Sequence, residues 1–385
     1  GYFVEVDLEC PQELHNKFKD YPPCPINREV KANELSTYQK DLYNKLHKKE
    51  GAKKEPKFKT GKKLILDLYD KDKYVCHYEY LKTIVKLGYK VKKLHRVYEF
   101  EQSRWLNDYI QLNAGLRKEA DKLKNEFFTD FYKLMSNAIF GKTMENILNR
   151  SKIEIVKDEQ IASKKMNYEW FKDAHFQNDM FFILSHQNTC EYNKPSYIGN
   201  AILDISKITM LNFHYDYMQK KYGENATLLY TDTDSLIYYV ECEDIYQDMY
   251  DNKELFDMSK MKGSFKDPTN AKKVGKMKDD TNMKPITEFV SLCPKSYSYL
   301  LDNGKNKKVC KGVQKSVVKD EIVHDDFKHT LQTGEILKRE NVNIRSFKHD
   351  VYTFKCMKDC LNSFDCKLYR TDYNSGHPFG YNPSN

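Results

Sequence analysis

Short strand-like runs alternating with amphipathic helices place this chain in the α/β or α+β class. Three observations carry that reading. The runs LILDLY (64–69), KYVCHY (73–78) and YKVKKLHRVYEF (89–100) are rich in β-branched and aromatic residues. Between them, EYLKTIVKLG reads as a helix, with Tyr80, Ile84 and Leu87 on one side and Gly88 as its stop. Farther on, ATLLYTDTDSLIYYV (226–240) sets two apolar runs around a polar turn, as a hairpin does. At 385 residues the chain exceeds one ordinary core, so two or three subdomains are expected.

Composition narrows the class further. Hydrophobic residues make up 40% of the chain, enough for folded cores, while 31% charged residues demand a polar surface. No apolar run approaches membrane-spanning length, and the N-terminus has no signal-peptide pattern. The chain opens on GYFVEVDLEC without an initiator Met, so it is expected to be part of a longer protein, and its scattered cysteines, expected to stay reduced, point to an intracellular one. The net charge is +8, and residues 38–63 hold ten lysines against Asp41, Glu50 and Glu55. Such a run is a solvated loop or a seat for a polyanion, of which a phosphate backbone is the simplest. The ten cysteines lack CxxC pairs; Cys356 and Cys360, near Cys366, are spaced to share a helix face, but no fourth zinc ligand is well placed.

The elements follow in order. Residues 1–8 alternate as a strand, which CPQELHNKFKDYPPCP breaks with prolines. The lysine-rich stretch reads as a short helix and a basic loop. A helical tract starts near Gln102 and is expected to break around 113–115, resuming over 116–148. Residues 151–190 read as an inserted module of short strands and loops. PSYIGNAILDISKITMLNFHYDYMQKKYG is a long helix with Ile202, Ile205, Met210, Phe213 and Tyr217 as core stripe and Gly223 as stop. After the hairpin, ITEFVSLCPKSYSYLL gives two strand-like pieces around Pro294, and a helix near 325–332 is closed by Gly334. RSFKHDVYTFKCMKDCLNSFDCKLY is strand-like first and irregular later.

Three stretches carry chemistry. In the hairpin, five polar residues separate the strands, and Asp232 and Asp234, two apart on an extended segment, project to one side. Carboxylates at such a turn suit Mg²⁺, although a bare D-x-D is more often a surface turn. In FYKLMSNAIFGKTMEN, Lys133, Asn137, Phe140 and Met144 share a helix face, while Phe131, Leu134, Met135 and Ala138 cover the opposite arc. The first face offers a cation, an amide, a ring and, at Gly141, a place for close approach, as a nucleoside triphosphate requires. In KSY, Lys295 and Tyr297 fall on one strand face, as contact with a nucleic-acid backbone requires; a solvated Lys beside a core Tyr fits equally.

KLMSNAIFG, YTDTDS and KSY, in this order and at these separations, resemble the family B DNA polymerases. The family patterns are K-x-x-x-N-x-x-Y-G on the fingers, Y-x-D-T-D-S in the palm and a downstream K-x-Y. The resemblance is closest to the protein-primed branch, and EVDLECPQELH, LHRVYEFEQSRWL, FGKTMEN and RSFKHDVYTF look like its Maverick/Polinton-type transposon members. It implies a right-hand polymerase fold of α+β class. Residues 1–112 would be palm with a basic insertion, 113–150 fingers, 151–192 an insertion, 193–301 palm with the DTDS hairpin, and 302–385 thumb. The usual upstream exonuclease domain has no counterpart here.

The resemblance also assigns roles. Asp234 would be the principal ligand of two catalytic Mg²⁺ ions (Mn²⁺ as substitute), with Asp232 beside it. Lys133 would bind the dNTP triphosphate with Asn137 nearby, and Arg117 would make a second phosphate contact. Phe140 stands where the family has Tyr, so the ring is kept and the hydroxyl lost. Lys295, Tyr297 and Gly141 would touch the DNA template-primer. A terminal-protein primer is a further implied partner, and a eukaryotic mobile element would place the protein in the nucleus. The family's D-x-x-S-L-Y-P motif, which supplies the remaining metal-binding aspartate, is not found; Asp7 in VDLECPQELH is a weak substitute. These residues alone are therefore expected to be inactive in DNA synthesis. Two rival readings stay open: a DNA-binding, catalytically decayed transposon remnant, and a D-x-D glycosyltransferase. A reverse transcriptase would instead favour adjacent aspartates in Y-x-D-D.

Overall fold

Val4, Val6 and Leu8 are buried on one face of the first strand, β1 (Tyr2–Glu9), while Glu5, Asp7 and Glu9 alternate onto the other. The computed structural model describes residues 1–48, 51, 54–347 and 350–383. After β1 come a short helix α1 (His15–Phe18), β2 (Ile26–Arg28), α2 (Thr37–His47), β3 (Lys63–Ile65), β4 (Lys71–His77), α3 (Tyr78–Leu87) and β5 (Lys90–Glu99). β1 lies between β4 and β5, antiparallel to both. Tyr80, Ile84 and Leu87 of α3 are buried against this sheet as the periodicity predicts, and Gly88, at φ +121°, ends the helix. The 64–69 run gives only the short β3. Asp67 turns inward instead, to pair with Lys71 and, at 2.9 Å, with Arg28. Residues 49–50 and 52–53 of the lysine-rich stretch lie outside the described residues; α2 before them starts on a Ser36–Gln39 capping box.

Helices α4 (Asn107–Lys122) and α5 (Glu126–Thr143) pack as a hairpin. The break expected at 113–115 is absent there. Asn113 bonds back to the Tyr109 carbonyl within the helix, and the turn falls at Lys124, where φ is +54° and Asn125 caps α5. The arc expected to be core is also more open than its composition suggests. Phe131, Leu134 and Ala138 are exposed, because α5 leans chiefly on α4 and the start of the next long helix. The following module comprises β6 (Ser151–Val156), α6 (Glu159–Met166), β7 (Phe171–Gln177) and β8 (Met180–His186), with strand order β6-β8-β7.

The long helix begins as α7 (Ser196–Asn212), passes through a π-helical stretch (Phe213–Met218) and ends as α8 (Gln219–Tyr222) before Gly223. Met210 and Tyr217 are buried, as expected, but Ile202 and Ile205 are exposed. Asp204 takes the inner position instead, accepting a 2.9 Å hydrogen bond from the His77 amide. Beyond it, the wider π turn shifts the phase, so that His214, Tyr215, Tyr217 and Met218 are all buried. Leu211 and Tyr215 join the core of the first sheet. Tyr217 and Met218 join a methionine-rich one with Met249, Phe256, Met258 and Met261. That second core lies beside the hairpin β9 (Ala226–Asp232) and β10 (Ser235–Val240) and the helix α9 (Ile245–Asp251).

The last part holds β11 (Ile286–Cys293), β12 (Ser296–Leu301), β13 (Asn306–Cys310), α10 (Lys315–Asp320), α11 (His324–Thr333), β14 (Leu337–Phe347) and β15 (Asp350–Leu361). β13 pairs with β12, so one sheet runs across the boundary expected at 301/302. Val290 and Leu292 share a core with Val317, Phe327 and Leu361, which explains why: neither side of that boundary has a complete core alone. Gly334, at φ +68°, ends α11 as expected. Cys356 and Cys360 sit on β15, a strand rather than a helix, and all ten cysteines are free thiols. Residues 362–383 return to the beginning of the chain, where Gln39 Nε2 donates to the Asp365 and Leu368 carbonyls at 2.8 Å each. Every strand ladder among the described residues is antiparallel. The architecture is mixed α and β, with several small antiparallel sheets.

Candidate active site at the Asp232–Asp234 turn

The polar segment between β9 and β10 is tighter than five residues. Asp232 still pairs with Ser235 in the ladder, leaving only Thr233 and Asp234 outside it. The Asp234 amide donates to the Asp232 carbonyl at 2.6 Å, closing a three-residue turn around Thr233, whose φ is +59°. That conformation is costly for a β-branched residue and is typical of strained functional turns. It also interrupts the extended backbone, so the alternation that would send Asp232 and Asp234 to one side does not run through Thr233.

Lys295 reaches this turn from another sheet. It lies in the tight connection between β11 and β12, at φ +64°, and not in the strand itself. The expected sharing of one strand face with Tyr297 therefore fails. The turn aims Lys295 elsewhere: its Nζ donates to both carboxylate oxygens of Asp232, at 2.9 and 2.7 Å. Its amide donates to the Tyr230 hydroxyl at 2.9 Å. The Asp232 carboxylate raises the Lys295 ammonium above its ordinary pKa. Tyr297 remains in β12, with its ring 4.7 Å from that of Tyr230 and 5.9 Å from that of Phe289. Asp232, Lys295, Tyr230 and Tyr297 thus form one constellation. Asp234 sits exposed at its edge.

The remaining candidates lie on the α4–α5 hairpin. Lys133 and Asn137 are exposed and Phe140 is half-buried. A Cβ added at Gly141 would meet no atom within 4 Å, so the helix surface there is open. Arg117 is half-buried on α4, and its Nε has no hydrogen-bond partner in the structure. Among the described residues, no hydrogen bond, ion pair or ring contact joins α5 to the Asp232–Asp234 turn. Besides its packing on α4, α5 is held at its C-terminal end, where Thr143 and Met144 press on Gly199 of α7. Asp7 stays apart from the turn as well: its carboxylate accepts from the Lys73 amide and from His95, in the first sheet.

Residues 11–220 match the family described as DNA polymerase type B, organellar and viral. The match covers more than half of the chain and includes α4, α5 and α7. The chain belongs to this family of DNA polymerases. At the level of the family it is a DNA-directed DNA polymerase, a nucleotidyltransferase of DNA replication acting on a DNA template-primer and dNTPs. No curated protein and no solved structure matches the chain. No helix among the described residues is long and apolar enough to cross a membrane.

Family B polymerases generally use divalent metals, and the donor set of this polymerase suits one. Asp232 and Asp234 lie two residues apart at one turn, and the Lys295 ammonium already occupies Asp232 as a cation would. The polar layer behind the hairpin was not singled out from the sequence. Burial pushes up both the Asp20 carboxyl and the Tyr21 hydroxyl, which face Leu228 and Thr231 of β9. His214 Nδ1 lies 2.8 Å from the Tyr238 hydroxyl, and burial pushes the imidazole down to about 4. Tyr230 had a visible signal, since two-residue alternation puts it on the same side of β9 as Asp232. The DYPP loop and the π stretch had none, because their meeting depends on tertiary contacts.

Proposed function

We propose that this polymerase performs template-directed addition of dNTPs to a primer 3′-hydroxyl at the Asp232–Asp234 turn, within a right-hand palm. The single observation that carries the reading is the contact of Lys295 with Asp232. It brings together the two sequence patterns, YTDTDS and KSY, that resemble polymerase motifs.

The chemistry is displacement of pyrophosphate from the α-phosphate by the primer oxygen. Two Mg²⁺ ions bound by Asp234, with Asp232 beside it, would activate that oxygen and neutralise the leaving charge. Lys295 balances one carboxylate, which leaves Asp234 as the freer ligand and reduces repulsion of the incoming triphosphate. Lys133 and Asn137 present an exposed cation and amide for the triphosphate, with Arg117 as a second phosphate contact. Phe140 offers its ring to the nascent base pair, without the hydroxyl of a tyrosine. The open surface at Gly141 admits DNA, and Tyr297 braces Lys295 near the primer end through Tyr230.

The finer assignment is to protein-primed synthesis of the Maverick/Polinton type, with a terminal protein as primer. Its support is the sequence resemblance in EVDLECPQELH, FGKTMEN and RSFKHDVYTF. The test is Mg²⁺-dependent primer extension by the full-length protein. Asp234→Ala is expected to lower extension by about 10³-fold or more while template-primer binding is kept. Undiminished synthesis would place the metal site elsewhere.

A further inference from the structure

The outer face of the first sheet carries a ladder of charge. Glu5, Asp7 and Glu9 project from β1, and β5 answers each one. Arg96 Nε lies 3.3 Å from Glu5, and Lys92 meets Glu9 with Lys90 3.8 Å away. The two outer rungs are therefore neutralised by permanent cations. The middle rung differs. His95 Nε2 lies 2.7 Å from Asp7 Oδ1, and Asp72, from β4, brings a second carboxylate against the same pair. One atom from each of Asp7, Asp72 and His95 lies within 4.8 Å of the others. The Lys73 amide donates to Asp7 Oδ1 at 2.9 Å and fixes that carboxylate from behind.

We propose that Asp7, Asp72 and His95 form a binding site for one divalent cation of the Mn²⁺ or Zn²⁺ class, separate from the Asp232–Asp234 turn. Two carboxylates facing one imidazole leave this rung with excess negative charge, which the rungs on either side do not share. The donor set, two oxygens and an imidazole nitrogen, favours Mn²⁺ or Zn²⁺ over Mg²⁺, which prefers oxygen and its own waters. At metal–donor distances of about 2.0–2.2 Å these three atoms would draw together around the ion. A neutral imidazole takes the cation at Nε2 with its proton on Nδ1, and a protonated ring first releases one proton to solvent. Asp72 is exposed, so the site opens to solvent and keeps positions for water. A bound cation would tie β4, β1 and β5 together through their side chains.

The experiment is Mn²⁺ titration followed by electron paramagnetic resonance. It uses the full chain carrying Asp232→Asn and Asp234→Asn, so that the turn is silenced. Mn²⁺ is the probe because the ten free thiols would take up Zn²⁺. One saturable Mn²⁺ per chain is expected, persisting in excess Mg²⁺. Binding should weaken ten-fold or more in His95→Gln and in Asp72→Asn. The second variant alters an exposed side chain and reports even if the first fails to fold. Absence of saturable binding, or an affinity unchanged by Asp72→Asn, overturns the proposal. Neither result bears on the polymerase reading, because the polymerase turn is already disabled.

Discussion

Lys295 Nζ lies 2.7 and 2.9 Å from the two carboxylate oxygens of Asp232, across 63 residues of chain. The side chains are 51% and 36% exposed, so the pair contributes little to folding, within about 1 kcal/mol. Its value lies in the site. Lys295→Met should leave the melting temperature nearly unchanged while lowering primer extension at least ten-fold. It should also tighten Mg²⁺ dependence, because Asp232 loses its competing cation. A Mg²⁺ titration of extension rate, beside a thermal melt, reads both effects. An unchanged Mg²⁺ profile would mean that Lys295 acts on the DNA alone.

Thr233 holds a left-handed conformation at the centre of the turn. Glycine adopts that geometry without the Cβ penalty, so Thr233→Gly should hold or raise stability by up to about 1 kcal/mol. Extension should nevertheless fall, because a freer turn fixes Asp234 less well relative to Asp232. Equilibrium denaturation and single-turnover extension, measured on the same preparation, separate the two effects.

His214 is buried with its ring against Tyr21 and Tyr238, and desolvation lowers it from the ordinary 6.5 to about 4. The unfolded chain therefore binds more protons than the native one between these values. Its contribution is complete above pH 6.5 and lost as pH falls through about 4, up to roughly 3 kcal/mol. His214→Phe should flatten the stability profile between pH 6.5 and 4 relative to the unmodified protein. Urea unfolding across that range measures the difference.

Gly199 lets α7 approach α5. A Cβ there would lie 2.8 Å from Thr143 Oγ1 and closer still to Met144. Gly199→Ala can be met partly by movement of Met144, which is on the surface. Gly199→Val should cost about 1–3 kcal/mol and tilt α5. If α5 presents Lys133 and Asn137 to the triphosphate, the KM for dNTP should rise more than kcat falls. Steady-state kinetics with varied dNTP test this.

Local pattern made much of the fold legible. The face of Tyr80, Ile84 and Leu87, the stops at Gly88 and Gly334, and the hairpin around Asp232 all follow from nearest neighbours in sequence. Ile202 and Ile205 mislead because Asp204 takes the inner position to accept from the His77 amide, a tertiary contact that no local pattern announces. The α4–α5 turn was missed because Gly115 is tolerated inside a helix that Asn113 supports from within. In the site, the carboxylates were visible, but the turn geometry was not, since nothing local announces a threonine at positive φ. Lys295 was visible as a cation but not as a partner of Asp232, because that pairing depends on how two separate hairpins dock.

The return of residues 362–383 to α2 has a consequence for how the protein is made. Val30, Leu35 and Ile65 share a core with Cys366 and Phe379, at separations of about 300 residues or more. During synthesis that core waits, half-built, until residues 366–379 have left the ribosome. Contacts so distant in sequence are slow to form and expose apolar surface meanwhile. Truncation after Leu361 should therefore harm the beginning of the chain, leaving α2 and β3 without the partner that completes them.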